Sequence, residues 1–364
     1  MFIKKKIAII GTNGLPGRYG GWDQLLNHLT YSLSDKYEIV VYTSSYTAIK
    51  GLKEYNGAKI KIIPLKANGA QSVLYDGISI IDACFKYDIL LILGTSGCIF
   101  LPLTKIFNKK IILNPDGAEW KRGKWNKYIK AFLKLSERLG VNLSDTVIAD
   151  NAVIQEYLKK EYGKDSVLIE YGGDHVLTVD LSSVAKNKYQ IEDRKYAFKV
   201  CRIEPENNID LILEAFKDSK LILVLIGNWN FSNYGVELRK KYNNFENLRL
   251  LDPIYEQNTL DELRSNCGIY IHGHSVGGTN PSLVEAMNLG LCCVSYGVDY
   301  NIETTENSAL YFNSVTDLKA IVNDFLDGKI DAQLIGSNLK SIAIKRYTWD
   351  NIISKYDKEF QSCI

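Results

Sequence analysis

Short apolar runs rich in β-branched residues alternate with longer amphipathic stretches along the whole chain. Runs that are apolar at nearly every position are typical of strands buried on both faces, and therefore of a parallel sheet covered by helices. The pattern predicts a first series of strands at 6–11, 38–44, 59–64, 88–94, 110–115, 146–150 and 166–171. It predicts a second series at 196–203, 221–227, 248–254, 268–273, 292–297 and 309–312.

The polar stretch 178–195 interrupts this alternation, and the same rhythm resumes after it. A chain of 364 residues is also long for a single hydrophobic core. We therefore predict an α/β fold of two consecutive doubly wound, Rossmann-like domains. The N-terminal domain would span 1–177, the stretch 178–195 would be a linker, and the C-terminal domain would span 196–345.

Composition adds exclusions rather than a function. The chain is 46% hydrophobic and 24% charged, as ordinary globular proteins are, and its net charge of +2 gives no reason to expect a nucleic-acid partner. Seven cysteines lie singly or adjacent, without a C-x-x-C pair, which indicates buried thiols in a reducing compartment. The first apolar run is shorter than that of a signal peptide, so we expect a cytoplasmic protein.

A glycine-rich loop follows the first predicted strand. Five glycines lie within 11–21, and Gly20 and Gly21 stand where a helix is expected to begin near Trp22. Glycines let backbone amides approach a ligand, and a helix N-terminus favours a phosphate. The spacing is not G-x-G-x-x-G, which argues against a dinucleotide site. A connection that merely needs turns would have the same composition.

The segment 114–135 follows the fifth predicted strand. Asp116 and Glu119 lie in its loop, and the run from Trp120 to Lys134 interleaves six basic residues with four aromatic ones. Such a run suits an anionic membrane surface or a lipid diphosphate headgroup. A solvated basic face with core aromatics explains it equally well. The candidate acceptor or membrane residues are Glu119, Lys124, Trp125, Lys127 and Lys130.

A second glycine loop, "GGTNPSLVEAM" at 277–287, opens into a short apolar helix. Asn280 is a plausible N-cap and Pro281 fits the first turn. Glu285 lies about one turn into the helix, where a carboxylate can accept hydrogen bonds from a ribose diol. The free amides of the first turn can meet a phosphate. The candidate donor-binding residues here are His274, Gly277, Gly278, Thr279, Asn280, Ser282, Leu283 and Glu285.

Arg202 ends the first strand of the second series, immediately before an acidic turn and a helix. A guanidinium there can bind a diphosphate with two parallel hydrogen bonds and neutralise charge on a leaving group. Taken alone, an arginine at a strand end is more often structural.

These motifs together resemble the retaining glycosyltransferases of family four, which have the GT-B fold of two Rossmann-like domains facing across a cleft. The resemblance rests on the first glycine loop, on "RIEPENN" and above all on "GGTNPSLVEAMNLG". With "DGAEWKRGKW" it extends to a branch of bacterial rhamnosyltransferases of surface polysaccharide synthesis. The stretch 346–356 resembles the helix that returns to the N-terminal domain in this fold, so 346–364 is expected there.

The resemblance implies transfer of rhamnose from dTDP-rhamnose to a lipid-diphosphate-linked saccharide, by a peripheral protein on the inner face of the bacterial cell membrane. It implies retention by front-face displacement, with Arg202 stabilising the diphosphate and Asp116 orienting the acceptor hydroxyl. No D-x-D occurs in the chain, so neither a metal nor another cofactor is expected.

Two positions depart from the family pattern. Gly277 stands where the family usually has a glutamate that contacts the donor sugar, and Asn207 stands in place of a lysine that contacts the diphosphate. Diphosphate neutralisation would then rest on Arg202, on the helix amides and on Arg18. The alternatives are a glycosyltransferase with another donor, a sugar-nucleotide epimerase of the same fold, a nicotinamide dehydrogenase and a non-catalytic binding module.

Overall fold

The computed structural model describes residues 4–17, 20–121 and 125–363. It divides the chain into two compact units. The first unit runs up to Tyr171 and includes the chain from Trp349 onward, and the second unit is Gly172–Thr348. The prediction had the N-terminal domain end at 177 and the C-terminal domain span 196–345.

Strands occupy every position that the apolar pattern predicts, although most are shorter than predicted and the run at 166–171 contributes only two residues. The strands are β1 (Lys6–Ile10), β2 (Glu38–Ser44), β3 (Glu54–Tyr55), β4 (Ala58–Ile63), β5 (Ile89–Leu93), β6 (Lys110–Asn114), β7 (Thr146–Ala149), β8 (Val167–Leu168), β9 (Tyr196–Val200), β10 (Ile222–Ile226), β11 (Leu248–Leu251), β12 (Ile269–His272), β13 (Cys293–Tyr296) and β14 (Leu310–Phe312).

The helices follow the strands in alternation. They are α1 (Gly21–Leu33), α2 (Ser72–Cys84), α3 (Pro102–Ile106), α4 (Lys127–Leu143), α5 (Ala152–Tyr162), α6 (Ser183–Tyr189), α7 (Ile209–Phe216), α8 (Asn233–Tyr242), α9 (Gln257–Ser265), α10 (Pro281–Asn288), α11 (Asp299–Thr304), α12 (Val315–Leu326), α13 (Ala332–Arg346) and α14 (Trp349–Ser362). Within the described ranges, no helix has the length and apolar composition needed to cross a membrane.

Each unit has its own sheet. The first sheet has the order β3-β4-β2-β1-β5-β6-β7-β8, and the second has the order β11-β10-β9-β12-β13-β14. All neighbouring strands are parallel except β3 and β4. In both sheets the strand order reverses beside the first strand, which is the doubly wound arrangement of Rossmann-like domains. The predicted α/β fold class is confirmed.

The last helix belongs to the first unit. The buried side chains of α14 share one core with those of α1 and β1. The rings of His28 and Trp349 stack with centroids 3.9 Å apart, and Lys355 donates to Glu170 over 2.9 Å. The chain therefore leaves this unit after Tyr171 and returns to it at Trp349.

The predicted linker at 178–195 is wrong. This stretch contains α6, and Leu181, Ala185, Tyr189 and Ile191 are buried in a core that includes residues of β9 and β10. Ala185 and Tyr189 are four apart and lie on one face of α6, and Leu181 precedes its N-cap, Ser182. The polar composition of the stretch concealed that apolar face, so the segment is part of the second unit rather than a connection.

One strand escaped the pattern. This strand is β3, which forms an antiparallel hairpin with β4. The hairpin is closed by Asn56 and Gly57, which both have positive φ. An Asn-Gly pair between two extended segments is the preferred two-residue hairpin turn. The signal was present at this position, but a two-residue strand is too short to show an apolar alternation.

Packing of α14 predicts a large stability effect at its distal end. Phe360 is fully buried, and its ring packs edge-on against Tyr37 with centroids 5.6 Å apart. Phe360→Ala should lower the free energy of unfolding of the first unit by about 3–5 kcal/mol, because it removes a buried ring and leaves a cavity. Urea denaturation measures the change. Lys358→Ala, at an exposed position of the same helix, should leave the transition where it is.

Candidate functional site

The order of the second sheet reverses between β9 and β12. In doubly wound sheets, ligands bind outside the carboxyl ends of the strands at this switch point. The loops that follow β9 and β12 are joined there. The amide and the hydroxyl of Ser275 both donate to the carbonyl of Glu206 over 2.9 Å, and the Asn208 side chain donates to the carbonyl of Gly273 over 2.8 Å. Arg202, Asn207 and His274 are thereby brought together.

Positions 273 and 277 of this site are occupied by glycine for different physical reasons. A Cβ on Gly273 would lie 2.2 Å from the carbonyl oxygen of Asn207, so the two loops can approach this closely only because residue 273 has no side chain. Gly277 instead has a φ of +115°, a region that strains other residues, and its missing Cβ would meet no atom within 4 Å. Gly277 therefore leaves open space where the resembling family has a carboxylate.

The start of α10 is capped as predicted, with Pro281 in its first turn. The Asn280 side chain accepts from the Ser282 amide, and the Leu283 amide donates to the Asn280 carbonyl over 3.0 Å. The prediction that the amides of Ser282 and Leu283 are free to bind a phosphate is therefore wrong. An asparagine that caps its own helix competes with an anion for those donors. Thr279, just before the cap, is buried.

Glu285 lies one turn into α10 and is buried. One carboxylate oxygen accepts from the Arg264 guanidinium, and the other lies 3.4 Å from Nε2 of His175. Burial acts to raise the pKa of Glu285, but the charge of Arg264 and the contact with His175 outweigh it and lower that pKa below its ordinary value. The carboxylate is therefore ionised and held in place, and a ribose would have to share it with two protein groups.

Arg202 and Asn207 occupy the loop after β9 in different ways. The Arg202 side chain is about half exposed, with Nη1 3.6 Å from a carboxylate oxygen of Glu204. Asn207 is buried, and its side-chain nitrogen donates to the Arg202 carbonyl over 2.6 Å. Asn207 thus shapes the loop that carries Arg202. It supplies no charge in place of the lysine that the resembling family has there.

Polar residues beneath these loops were missed by the sequence analysis. Lys199 near the end of β9, His272 at the end of β12 and Ser295 in β13 are all buried. Burial lowers the pKa of Lys199, and burial together with the charge of Lys199 lowers the pKa of His272 well below its ordinary value, so this imidazole is neutral. The sequence feature that could have identified these residues is the single strongly polar side chain in each of three otherwise apolar strands.

The glycine loop of the first unit is packed against strand ends. A Cβ on Gly11 would lie 2.0 Å from the Leu93 carbonyl oxygen, and one on Gly14 would lie 2.1 Å from the Thr43 hydroxyl. Gly20 has a φ of +101° and is the N-cap of α1, which begins at Gly21. The loop thus delivers the start of α1 to the carboxyl edge of the sheet. Arg18 lies outside the described residues.

Asp116 follows β6 with a φ of +64°, a conformation uncommon for a residue other than glycine. Its amide donates to the Asn114 side chain over 3.0 Å. Burial, and then the charges of Asp150 and Asp116, raise the pKa of Tyr171 well above its ordinary value. Asp150, at the end of β7, is a site candidate that the sequence analysis missed.

The basic and aromatic run 120–134 is divided rather than one helix. A 3-10 turn spans Glu119–Lys121, and α4 begins only at Lys127 because Asn126 caps it. The Trp125 ring nitrogen donates to Glu119 over 3.0 Å. Lys127 is exposed and Lys130 is half-buried. Lys124 lies outside the described residues.

Asp76 of α2 is a further unpredicted residue of the first unit. It is buried beside the loop that follows β5, and one of its oxygens accepts from the Ser96 hydroxyl. The other oxygen is buried without a hydrogen-bond partner among the described residues. Burial raises the pKa of Asp76 to about 7, although Ser96 and the Gly97 amide oppose the shift.

Two family models match the chain. Residues 183–341 match the model described as "Glycosyl transferases group 1", and residues 4–174 match a domain of unknown function, DUF1972. The group 1 match covers most of the second unit. No curated protein matches the sequence.

Solved structures of GT-B proteins share the fold at low sequence identity. Sucrose-phosphate synthase from Thermosynechococcus elongatus matches with a TM-score of 0.81 and 14% identity, over 99% of both chains. HepE from Anabaena in complex with UDP-glucose matches with a TM-score of 0.76 and 14% identity, over 98% of this chain and 99% of the other. A structure from Listeria monocytogenes described as a UDP-N-acetylglucosamine 2-epimerase matches with a TM-score of 0.63 and 15% identity, over 99% and 98%.

The buried pair of Arg264 and Glu285 predicts a non-additive stability effect. Arg264→Met should lower the free energy of unfolding by about 3–5 kcal/mol, because it leaves the Glu285 carboxylate buried without its cation. Adding Glu285→Leu should recover much of that loss, since no buried charge then remains. Urea denaturation of the single and double variants measures both. Lys329→Met breaks an exposed ion pair of the same unit and should change nothing measurable.

The raised pKa of Asp76 predicts a pH-dependent stability. The folded state holds a proton up to about pH 7 that the unfolded chain releases near its ordinary value of 3.8. Stability of the first unit should therefore fall as the pH rises from 5 to 8. Asp76→Asn should remove this component, so its stability relative to wild type should be greater at pH 8 than at pH 5. Equal differences at both pH values would contradict the shift, and exposed Asp35→Asn is the control.

Proposed function

We propose that this chain, most of whose second unit matches the group 1 glycosyltransferase model, is a retaining glycosyltransferase that moves rhamnose from dTDP-rhamnose to a lipid-diphosphate-linked saccharide. The observation that carries the proposal is the joining of two loops at the switch point of the second sheet: one carries half-exposed Arg202, and the other leads into the capped helix that holds Glu285. The switch point suits the diphosphate and ribose of a nucleotide-sugar.

The donor would be bound by groups of contrasting character. Arg202 supplies the positive charge for the diphosphate, and its planar fork can donate two parallel hydrogen bonds to phosphate oxygens. Glu285 is ionised and oriented by Arg264, so it can accept from the ribose hydroxyls. HepE, which has the same fold, was solved with UDP-glucose bound. This supports a nucleotide-sugar donor of some kind.

Rhamnose is proposed from the open space at Gly277. The carboxylate that usually contacts donor-sugar hydroxyls is absent there, and no atom lies within 4 Å of the position its Cβ would take. A sugar with fewer hydroxyl groups, such as a 6-deoxyhexose, loses less from that absence than a hexose does. The thymidine nucleotide and the polysaccharide context come from the resemblance of the motifs to bacterial rhamnosyltransferases.

The reaction would proceed by front-face displacement. The acceptor oxygen forms a bond to the anomeric carbon on the face from which the diphosphate departs, and the acceptor proton moves to an oxygen of the leaving diphosphate. Arg202 stabilises the negative charge that develops on that group. Asp116, which follows β6 in a left-handed backbone conformation, would orient the acceptor hydroxyl. No step requires a metal ion or another cofactor.

The acceptor end is proposed to work on the inner face of the bacterial cell membrane. Exposed Lys127 and half-buried Lys130 of α4, together with Trp125 and Glu119, lie on one segment of the first unit. Each lysine near an anionic leaflet contributes about 1 kcal/mol to membrane binding, and a lipid diphosphate headgroup is negatively charged as the leaflet is.

A transfer assay tests the proposal. The protein is incubated with a lipid-diphosphate disaccharide and either dTDP-rhamnose or UDP-glucose, and products are identified by mass spectrometry and by the anomeric coupling in NMR spectra. We expect a product whose new glycosidic bond has the same anomeric configuration as the donor. Transfer from UDP-glucose but not from dTDP-rhamnose would show that the proposed donor is wrong. Formation of an epimerised nucleotide-sugar in the absence of acceptor would support the epimerase alternative.

Arg202→Lys makes the assay specific for the site. It keeps the charge but loses the fork, and we expect turnover to fall roughly 100-fold or more, as for loss of one preorganised donor. Arg239→Lys on α8 changes an arginine of the same unit that pairs with Asp252, and should leave turnover unchanged. Near-wild-type turnover of Arg202→Lys would contradict the role given to Arg202.

A further inference from the structure

Helix α2 of the first unit is apolar on two faces. Tyr75, Ile80 and Ala83 are buried in the unit, as expected for a helix that covers a sheet. Leu74, Ile78, Ile81 and Phe85 form a second, exposed row along the same helix, and Phe85 is 65% exposed. A helix of a soluble protein normally has polar residues on its outer face. This outer face is therefore unexplained by the fold of the unit.

The exposed row continues onto α3. Leu103, Ile106 and Phe107 are exposed, with Ile106 at 76%, and the rings of Phe85 and Phe107 pack edge-on with centroids 4.6 Å apart. The apolar patch, defined as Leu74, Ile78, Ile81, Phe85, Leu103, Ile106 and Phe107, thus spans two helices. Exposed apolar surface that is contiguous, rather than scattered, marks an interaction site.

Lysines outnumber the accessible carboxylates around the apolar patch. Between residues 89 and 115 the charged residues are Lys105, Lys109 and Lys110. Between 72 and 88 the acidic residues are Asp76, which is buried and protonated below about pH 7, Asp82, which pairs with Lys86, and Asp88, which accepts from the Lys6 amide. Lysines beside an apolar surface are typical of elements that lie in the headgroup region of an anionic membrane.

Helix α4 also exposes apolar residues. Both α2 and α4 pack against the 3-10 turn Cys98–Phe100 that precedes α3. The N-terminal part of α4 exposes Tyr128 and Ile129 next to Lys127. The segment for which a membrane role was expected from its basic and aromatic residues therefore shares a packing partner with α2, whose exposed apolar face the sequence analysis did not identify.

We propose that the apolar patch docks the first unit onto an anionic lipid bilayer, with its leucine, isoleucine and phenylalanine side chains in the acyl–headgroup boundary and Lys105 at the lipid phosphates. This deepens the proposed function, since it names the surface through which the enzyme would meet a lipid-linked acceptor. A second copy of the chain fits less well. In a two-fold symmetric dimer the patch would meet itself, and its lysine rim would face an identical lysine rim.

Vesicle sedimentation with the full chain tests the proposal. The vesicles are phosphatidylcholine alone or phosphatidylcholine mixed with phosphatidylglycerol, an anionic lipid whose surface potential attracts basic residues. We expect the wild type to partition onto the anionic vesicles and the double variant Ile78→Ser/Ile106→Ser to partition at least tenfold more weakly. Leu334→Ser/Ile344→Ser, at two exposed positions of α13 in the second unit, is the matched control and should partition as the wild type does.

The contribution of charge is tested separately with Lys105→Ala, which should weaken partitioning onto anionic vesicles. Partitioning of this variant should depend on salt concentration no more steeply than that of the wild type. Equal partitioning of wild type and patch variant, or none by either, overturns the proposal. A concentration-dependent dimer of the wild type that the patch variant abolishes overturns it too, in favour of a second copy as occupant. Nucleotide binding by calorimetry monitors the second unit, so loss of glycosyl transfer with intact vesicle binding would refute the proposed function and leave the docking surface standing.

Discussion

The close approach of two loops at the switch point of the second sheet is the constraint on which the candidate site depends. The carbonyl of Asn207 comes so near to Gly273 that a Cβ at residue 273 would lie 2.2 Å from it. Hydrogen bonds from Ser275 and Asn208 across the same junction hold the loops together. Arg202 and the start of α10 therefore have fixed positions before a ligand arrives, as preorganised electrostatic stabilisation requires.

The chemistry at this junction is built from buried charge that the fold must stabilise. Glu285 is useful as a ligand only while ionised, and burial alone would favour its protonated form. Arg264, itself fully buried, reverses that preference. The same guanidinium that keeps the carboxylate ionised also occupies one of its oxygens, so the site gives up part of its hydrogen-bonding capacity for a fixed geometry and charge.

In the first unit, the candidate site residues and the exposed apolar surface lie on different parts of the fold. Its sheet end carries the carboxylates Asp116 and Asp150, while its outer helices carry an apolar surface bordered by lysines. The two features belong to separate faces of one Rossmann-like unit, because parallel strands end together at one edge and helices cover the flanks. Chemistry and attachment to a surface can therefore vary independently in such a unit.

The sequence by itself determined features that depend on neighbouring residues. Strand positions and the Asn280 cap follow from local periodicity and helix-capping preferences, and the structure has them. Only the tertiary structure decided which partners distant residues meet. Arg264 and His175 lie far from Glu285 in sequence, and the exposure of Ile78 and Ile106 depends on what covers their helices. Periodicity records that a face is apolar, but contact with the rest of the chain determines whether that face is buried.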